Sequence, residues 1–454
     1  MPTTPHRRAA TVACCLVAFL LGACADPGAT GQEAATTGPA PVRLYGADGT
    51  MQNSFAAELA DRTLVAGMKG TRPMAKLPAE FTRRLLEVDG SLQDFLYAGE
   101  TYDAVVIAAI AAELAGTPDP AVVRRYINGV TTGGEECRSA AECLELAREG
   151  RDLAYRGVSL TRGGFTDRGE PATASYETLH FGPDGVIDPG RSEFIGAGDL
   201  SRVTTEQPPQ PNPRVGLPPW QVEPLVFGGV LPETGDLSFA YPPIIAGARL
   251  AIADINEAGG VFGVDVRWLD GDSGTDPEVA RATIAAHVEA GVHVLIGPAA
   301  SGVAQAVLPD AVAAGLIMFS PSNTASALID MEDDGYYFRT APPDSLQGAA
   351  LADMLLRDAA ERIVIVARDD TYGSGLQRNA HQSLLRFGVP SSAVTLLSYE
   401  PPPEGGSGSA SIAGLDRLAD AVLEADPDAL VIIGYSEAAE LIQRLADRGL
   451  PLGR

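Results

Sequence analysis

Between residues 225 and 454, short apolar runs alternate with helical segments, and this alternation constrains the chain more than any other feature. The strand candidates are Leu225–Leu231, Val264–Leu269, Val292–Gly297, Leu316–Ser320, Arg362–Ala367, Val394–Ser398 and Ala429–Gly434. Helix signals fill the intervals. In IIAGARLAIADINEAGG, Ile245, Ala248, Ile252 and Ile255 recur at helical spacing before a Gly-Gly stop. In DPEVARATIAAHVEAG, Asp276 is placed to cap and Pro277 suits the first turn. Strands separated by helices of roughly 10–15 residues build parallel sheets. The series stops early. Ser436 can cap EAAELIQRLADR and Gly449 can close it, but where a strand is due only LPLGR follows.

The first half carries the complementary fault. PVRLYGADGT reads as a strand and turn with no helix before it. SFAAELADR and TPDPAVVRRYINGV read as helices, and TYDAVVIAAIAAELAG as a helix apolar on nearly all sides, hence deeply buried. Residues 157–187 read as β-hairpin material, with GFTDRGEP as a turn and ASYETLHFGPDG as an alternating strand. Residues 188–224, which include TTEQPPQPNPRVGLPPW, read as a semi-extended linker. No internal repeat relates the halves.

At the N-terminus, His6, Arg7 and Arg8 precede a 13-residue apolar run, AATVACCLVAFLL. That is the length of a signal-peptide core and too short for a lasting span. It ends Leu21-Gly22-Ala23-Cys24, which resembles a bacterial lipobox. Residues 1–23 are thus expected to be a lipoprotein signal peptide, Cys24 the lipidated residue, and 24–41 a flexible tether. Cys14 and Cys15 leave with the leader. Cys137 and Cys143 remain and are expected to form a small disulfide loop; a metal site would need His or Cys ligands that are not nearby. A net charge of -26 argues against nucleic acid. Isolated histidines, and the lack of HExxH, GxxxxGK[ST] or GxSxG, speak against a hydrolase or nucleotide enzyme. No cofactor is expected.

GGVLPETGD, AGARLAIADINEAGGVFG, VLIGPAASGVAQAV, MFSPSNTASAL, YYFRTAPPDSLQGAALADML and VARDDTYGSGLQ resemble, in order, the first part of a type I periplasmic binding protein of the branched-chain amino-acid group. LYGADGT, YAGETYDAVVIAAIAAELAG, ECRSAAEC, GGFTDRGEP and ASYETLHFGPDG resemble its last part, again in order. The resemblance implies an α/β fold of two Rossmann-like lobes closing on ligand like a flytrap. Its halves stand in reverse order. The implied arrangement is a circular permutation, with 42–187 matching the family's C-terminal part and serving both lobes. Residues 188–224 then join the old termini, and 225–454 match the N-terminal part (lobe 1 about 225–343, lobe 2 about 345–454). A gene-model accident and a dimer exchanging halves are the other routes to this order; a monomer is expected.

In open α/β sheets ligands bind beyond the carboxyl ends of strands. Ser301, and Ser322 with Thr324, follow two such ends, where hydroxyls and free N–H groups can hold a carboxylate or simply cap a helix. The resemblance implies the first role. It places the ligand carboxylate on Ser301, carboxylate and ammonium on Ser322 and Thr324, an aromatic wall at Tyr372 and Tyr435, and the ammonium on Asp48, where the family often has Glu. Ala300 would shape the pocket and Tyr97 or Tyr102 would line its mouth; the residues equally allow Tyr102 as an anchor of its buried helix and Asp48 as a turn residue. It further implies a lipid-anchored, extracytoplasmic binding protein handing an amino acid to an ABC permease, or else a ligand-sensing subunit of a receptor; a non-binding remnant and a hydrolase are the remaining alternatives.

Overall fold

The structure, a computed structural model, describes residues 41–212, 222–401 and 412–453. The expected leader, Cys24 and all but the end of the tether lie outside them. The chain runs β1 (Arg43–Gly46), β2 (Lys69–Pro73), α1 (Ala79–Val88), α2 (Ala98–Ala115), α3 (Pro120–Val123), β3 (Glu135–Cys137), α4 (Ala140–Arg148), β4 (Leu153–Tyr155), β5 (Thr173–His180) and β6 (Glu193–Gly198). It continues through β7 (Val226–Gly229), α5 (Tyr241–Glu257), β8 (Arg267–Leu269), α6 (Pro277–Glu289), β9 (Val294–Ile296), α7 (Ser301–Ala313), β10 (Ile317–Ser320) and β11 (Tyr337–Arg339). Last come α8 (Asp344–Arg357), β12 (Ile363–Arg368), α9 (Thr371–Arg386), β13 (Val394–Tyr399), α10 (Ile412–Ala425), β14 (Ala429–Ile433) and α11 (Ala438–Asp447).

Two large sheets organise the molecule. A five-stranded parallel sheet, β11-β10-β9-β7-β8, forms the first lobe. A seven-stranded sheet, β13-β12-β14-β1-β2-β5-β6, forms the second, parallel except where β5 and β6 join as an antiparallel hairpin. The strand missing after α11 is β1. Arg43–Gly46 pairs in parallel with Ala429–Ile432, and the Val42 N–H donates to Pro451 O at 2.7 Å, so residues from the two halves of the sequence meet at one sheet centre. β1 also pairs with β2 on its other side.

The all-round apolar helix is α2, and every residue from Ala98 to Ala115 is buried. It packs on α5 and α4 in the first lobe. Its buried Asp103 accepts from Tyr155 Oη (2.7 Å), Ser159 Oγ (2.6 Å) and the N–H groups of Val158, Ser159 and Leu160. That one carboxylate pins the segment leaving the first lobe. Cys137 and Cys143 are disulfide-bonded, closing the loop between β3 and α4.

Several elements differ from expectation. SFAAELADR forms two 3-10 turns, because Asp61 caps a second turn at Arg62–Val65 and interrupts a continuous helix. In TPDPAVVRRYINGV only Pro120–Val123 is α-helical. The first part of the expected linker, 188–224, carries regular structure. Residues 189–191 form a 3-10 turn and 193–198 are β6, the hairpin partner of β5.

A fully buried ion pair ties the lobe junction to the strand ends. Arg339, 1% exposed, meets Glu170 through Nε at 3.1 Å and also donates to Asn323 O and Ala325 O. Removing one partner strands a buried charge. Glu170→Ala is therefore expected to lower stability by about 3–5 kcal/mol in urea unfolding, and Glu170→Leu with Arg339→Leu by less.

Candidate functional site

The sheets place a pocket between the lobes. Its first-lobe wall comes from strand-end loops: Leu237, Phe239 and Ala240 after β7, Ala299 and Ser301 after β9, Ser322 and Thr324 after β10, with Leu96 and Tyr97 from the approach to α2. Its second-lobe wall is Asp48 and Gly49 after β1, Tyr372 at the start of α9 and Tyr435 after β14. Thus Asp48, Ser301, Ser322, Thr324, Tyr372 and Tyr435, scattered over the sequence, line one space.

The hydroxyl side is a cross-braced pair of loops. Ser301 is the first residue of α7 and its hydroxyl does not cap that helix; the N-cap, Ala300, has no side chain to do so. Ser301 Oγ accepts instead from the Ala325 N–H at 3.3 Å. Ser322 Oγ donates to Ala299 O at 3.2 Å, and Asn323 Nδ2 donates to Pro298 O and Ala299 O. The N–H groups opening α7 have no intrahelical acceptors and carry partial positive charge. Together these groups form a surface for an anionic oxygen.

Opposite stands a carboxylate. Asp48, 7% exposed, accepts at Oδ1 from Tyr372 Oη (2.8 Å) and Gln347 Nε2 (3.0 Å), and at Oδ2 from Tyr97 Oη (2.7 Å). Tyr97 reaches across from the first lobe, so this bond bridges the cleft. A carboxylate has about four lone-pair positions, and these side chains take three of them. Burial raises its pKa, and hydrogen bonds from Tyr97, Tyr372, Gln347 and its own backbone N–H work against that rise. Tyr97 adopts a left-handed backbone, φ 59°. For a non-glycine residue this stores strain of the kind found at ligand clamps.

The aromatic wall is layered. Tyr372 and Tyr435 stack at 5.4 Å and 17°. Arg368 lies on Tyr435, 3.8 Å from the ring centre, and pairs with Asp370 (2.6 Å), Glu437 (3.0 Å) and first-lobe Asp236 (3.7 Å). Gly49 makes the packing possible. A Cβ there would lie 2.2 Å from Gly434 O and 2.8 Å from Tyr435 Cδ1.

Two expected residues stand apart. Tyr102 does not line the cavity. One turn and more along α2 from Tyr97, it faces α5, donates to Asp254 at 2.7 Å and packs edge-on against Phe81. Ala300 is buried behind the wall that Ala299 and Ser301 present. Sequence reasoning passed over the apolar patch Leu96, Leu237, Phe239 and Ala240, although the loop after β7 is a strand end like the others. It also passed over Gln347 and Arg368, whose roles exist only in three dimensions. Neither His nor Cys lines the cavity, and among the described residues no cluster of His, Cys, Asp or Glu could hold a metal.

Residues 224–454 match the family model described as periplasmic binding protein. Among curated proteins, the chain is 31% identical over 223 residues to a chemotactic signal transduction system substrate-binding protein of Halobacterium salinarum, covering 47% of this chain and 50% of that one. It is 32% identical over 159 residues to the leucine-specific-binding protein of Salmonella typhimurium (35% and 41% covered). It is 32% identical over 161 residues to the Leu/Ile/Val-binding protein of Escherichia coli (35% and 41% covered). The chain spans half or less of the length of these relatives. Among solved structures, a leucine binding protein of Thermotoga maritima aligns at 23% identity and TM-score 0.42, covering 49% of this chain and 60% of that one.

Behind the site lie two further buried carboxyls. Asp344 is fully buried, its two oxygens make no hydrogen bond, and burial, with the charge of Asp48, pushes its pKa up to about 8. Burial likewise pushes Glu100 to about 8. Both groups bind a proton in the folded state that the unfolded chain releases near pH 4. Stability therefore falls as pH rises from about 4 to about 8, by up to about 1.4 kcal/mol per unit for each group. Asp344→Asn with Glu100→Gln should gain stability over the wild type progressively across that window in urea titrations. A difference that does not vary with pH would contradict this.

Proposed function

The chain belongs to the periplasmic binding protein family, and we propose that it binds a free apolar α-amino acid, of the branched-chain kind or close to it, between its lobes. One observation carries the reading: a hydroxyl and N–H surface faces a buried carboxylate across an aromatic and aliphatic cavity. A zwitterion fits that polarity. Its carboxylate would meet Ser301, Ser322 and Thr324, its ammonium the carboxylate of Asp48, and its side chain Leu237, Phe239 and the stacked tyrosines. Charge-assisted bonds of about 1.5–3 kcal/mol each would supply much of a micromolar affinity. Ligand touching both lobes stabilises the closed form.

The working context we propose is delivery to an ABC permease from the outer face of the cell membrane, with Cys24 lipidated after removal of residues 1–23. Among the described residues no helix is long and apolar enough to cross a membrane. A second reading, a sensing subunit for a receptor, is favoured by the likeness to the chemotactic substrate-binding protein of Halobacterium salinarum. We further propose that the order of the halves is a circular permutation. Its support is the pairing of β1 with β14 within one chain and the 2.7 Å bond from Val42 to Pro451, which leave the two ends a short connector apart.

L-Leucine, L-isoleucine and L-valine are expected to raise the melting temperature of the protein. Asp48→Asn should weaken calorimetric binding by about ten- to a hundredfold, the equivalent of one charged hydrogen bond. A flat response across all proteinogenic amino acids by folded protein would overturn the reading. A reordered chain, 222–453 followed by 42–198, is expected to fold and bind the same amino acids; failure to fold would count against the permutation.

A further inference from the structure

Three chain passages connect the lobes in the way a hinged pair requires. Residues 74–78 lead from β2 to α1, which packs on α5. Residues 156–172 lead from β4 to β5, and 340–343 from β11 to α8. The described residues contain a fourth. β6 belongs to the second-lobe sheet, yet from residue 203 the chain is docked on the first lobe. Thr204, 3% exposed, donates its N–H to Phe165 O at 2.8 Å, its carbonyl accepts from Thr132 Oγ1, and its hydroxyl meets Asp167. Further on, Gln210 O accepts from Tyr126 Oη at 3.0 Å and the Asn212 N–H donates to Leu114 O at 3.0 Å. Only residues 199–202 lie between the two anchorages.

We infer that residues 199–212 are a strap that stiffens the hinge and narrows the range over which the lobes open. The fourth passage does not run alone. Thr173 pairs with Gly198, and the Asp199 N–H donates to Ala172 O at 3.0 Å, so it lies against the 156–172 passage as an antiparallel ribbon across the junction. Arg162 clamps the ribbon, donating to Ala174 O and Ala197 O, each at 3.0 Å. Gly198, at φ 90°, turns the strap out of the sheet; a Cβ there would stand 2.4 Å from Ala172 O. A single passage opens by rotating a few backbone dihedrals. A hydrogen-bonded ribbon with both ends fixed cannot do so without breaking its ladder, and four residues offer little slack. Limiting the open states raises the share of molecules ready to bind, which lowers the cost of selecting the closed form.

The test needs no ligand, so its outcome is independent of what the cleft binds. Amide exchange read by mass spectrometry on the full chain is compared for three proteins: the natural chain, one with eight Gly/Ser residues inserted between Arg202 and Val203, and Tyr126→Phe with Thr204→Ala, which loosens the docked end. Both altered chains should exchange faster in the cleft-facing segments 96–101, 299–303 and 371–374, with β9 and β12 unchanged as proof of an intact fold. The same insertion at Asp184–Gly185, in the β5–β6 turn, should leave the cleft segments at the natural rate. Equal cleft exchange in the natural and the strap-loosened proteins would overturn the inference.

Discussion

The pairing of β14 with β1 is the constraint on which the molecule rests. It joins residues nearly four hundred positions apart, Arg43 with Ala429 and Gly46 with Ile432, at the centre of the larger sheet. The strands beyond β1 depend on it, since β2 and the β5–β6 hairpin attach to the sheet through β1. Asp48 and Gly49 follow directly. Asp48 and Gly49 therefore join the second-lobe wall of the cavity only once β1 has paired with β14. Such a long-range contact closes slowly, because its loop entropy precedes its reward.

Helix α2 shows the same logic with charge. Asp103 and Glu100 are one turn apart, and each is buried. Asp103 receives two hydroxyls and three backbone N–H groups and becomes an anchor. Glu100, at the cleft end, is pushed toward the neutral form by burial. Burial raises both carboxyls, and the ring of donors around Asp103 works against that rise.

Much of this could be read from the residues. Strands with β-branched runs and a strand-end loop declared themselves, and with them Ser301, Ser322 and Thr324. Asp48, Tyr372 and Tyr435 came from the family likeness rather than from spacing. The unread parts have physical reasons. β11 is three residues long, and β6, EFIGAG, is a glycine-containing edge strand with mostly exposed side chains, so neither carries a hydrophobic signal. SFAAELADR has helical composition, but Asp61 found a closer amide to bind at Thr63. Spacing alone left open whether Tyr102 lines the mouth or anchors its buried helix, because it does not say which face of a fully buried helix looks into a cleft; Tyr102 is an anchor, bonded to Asp254.

The two walls of the cavity differ in how they are held. On the second lobe, Asp48, Tyr372 and Tyr435 are locked by hydrogen bonds, by stacking and by Arg368, and Gly49 admits no side chain at all. On the first lobe, Leu237, Phe239 and Ala240 touch the cavity with apolar atoms that owe nothing to a polar partner. Exchange among them reshapes the space without orphaning a donor or acceptor. Evolutionary drift in selectivity thus has one inexpensive route, through the loop after β7, while the opposite wall stays fixed.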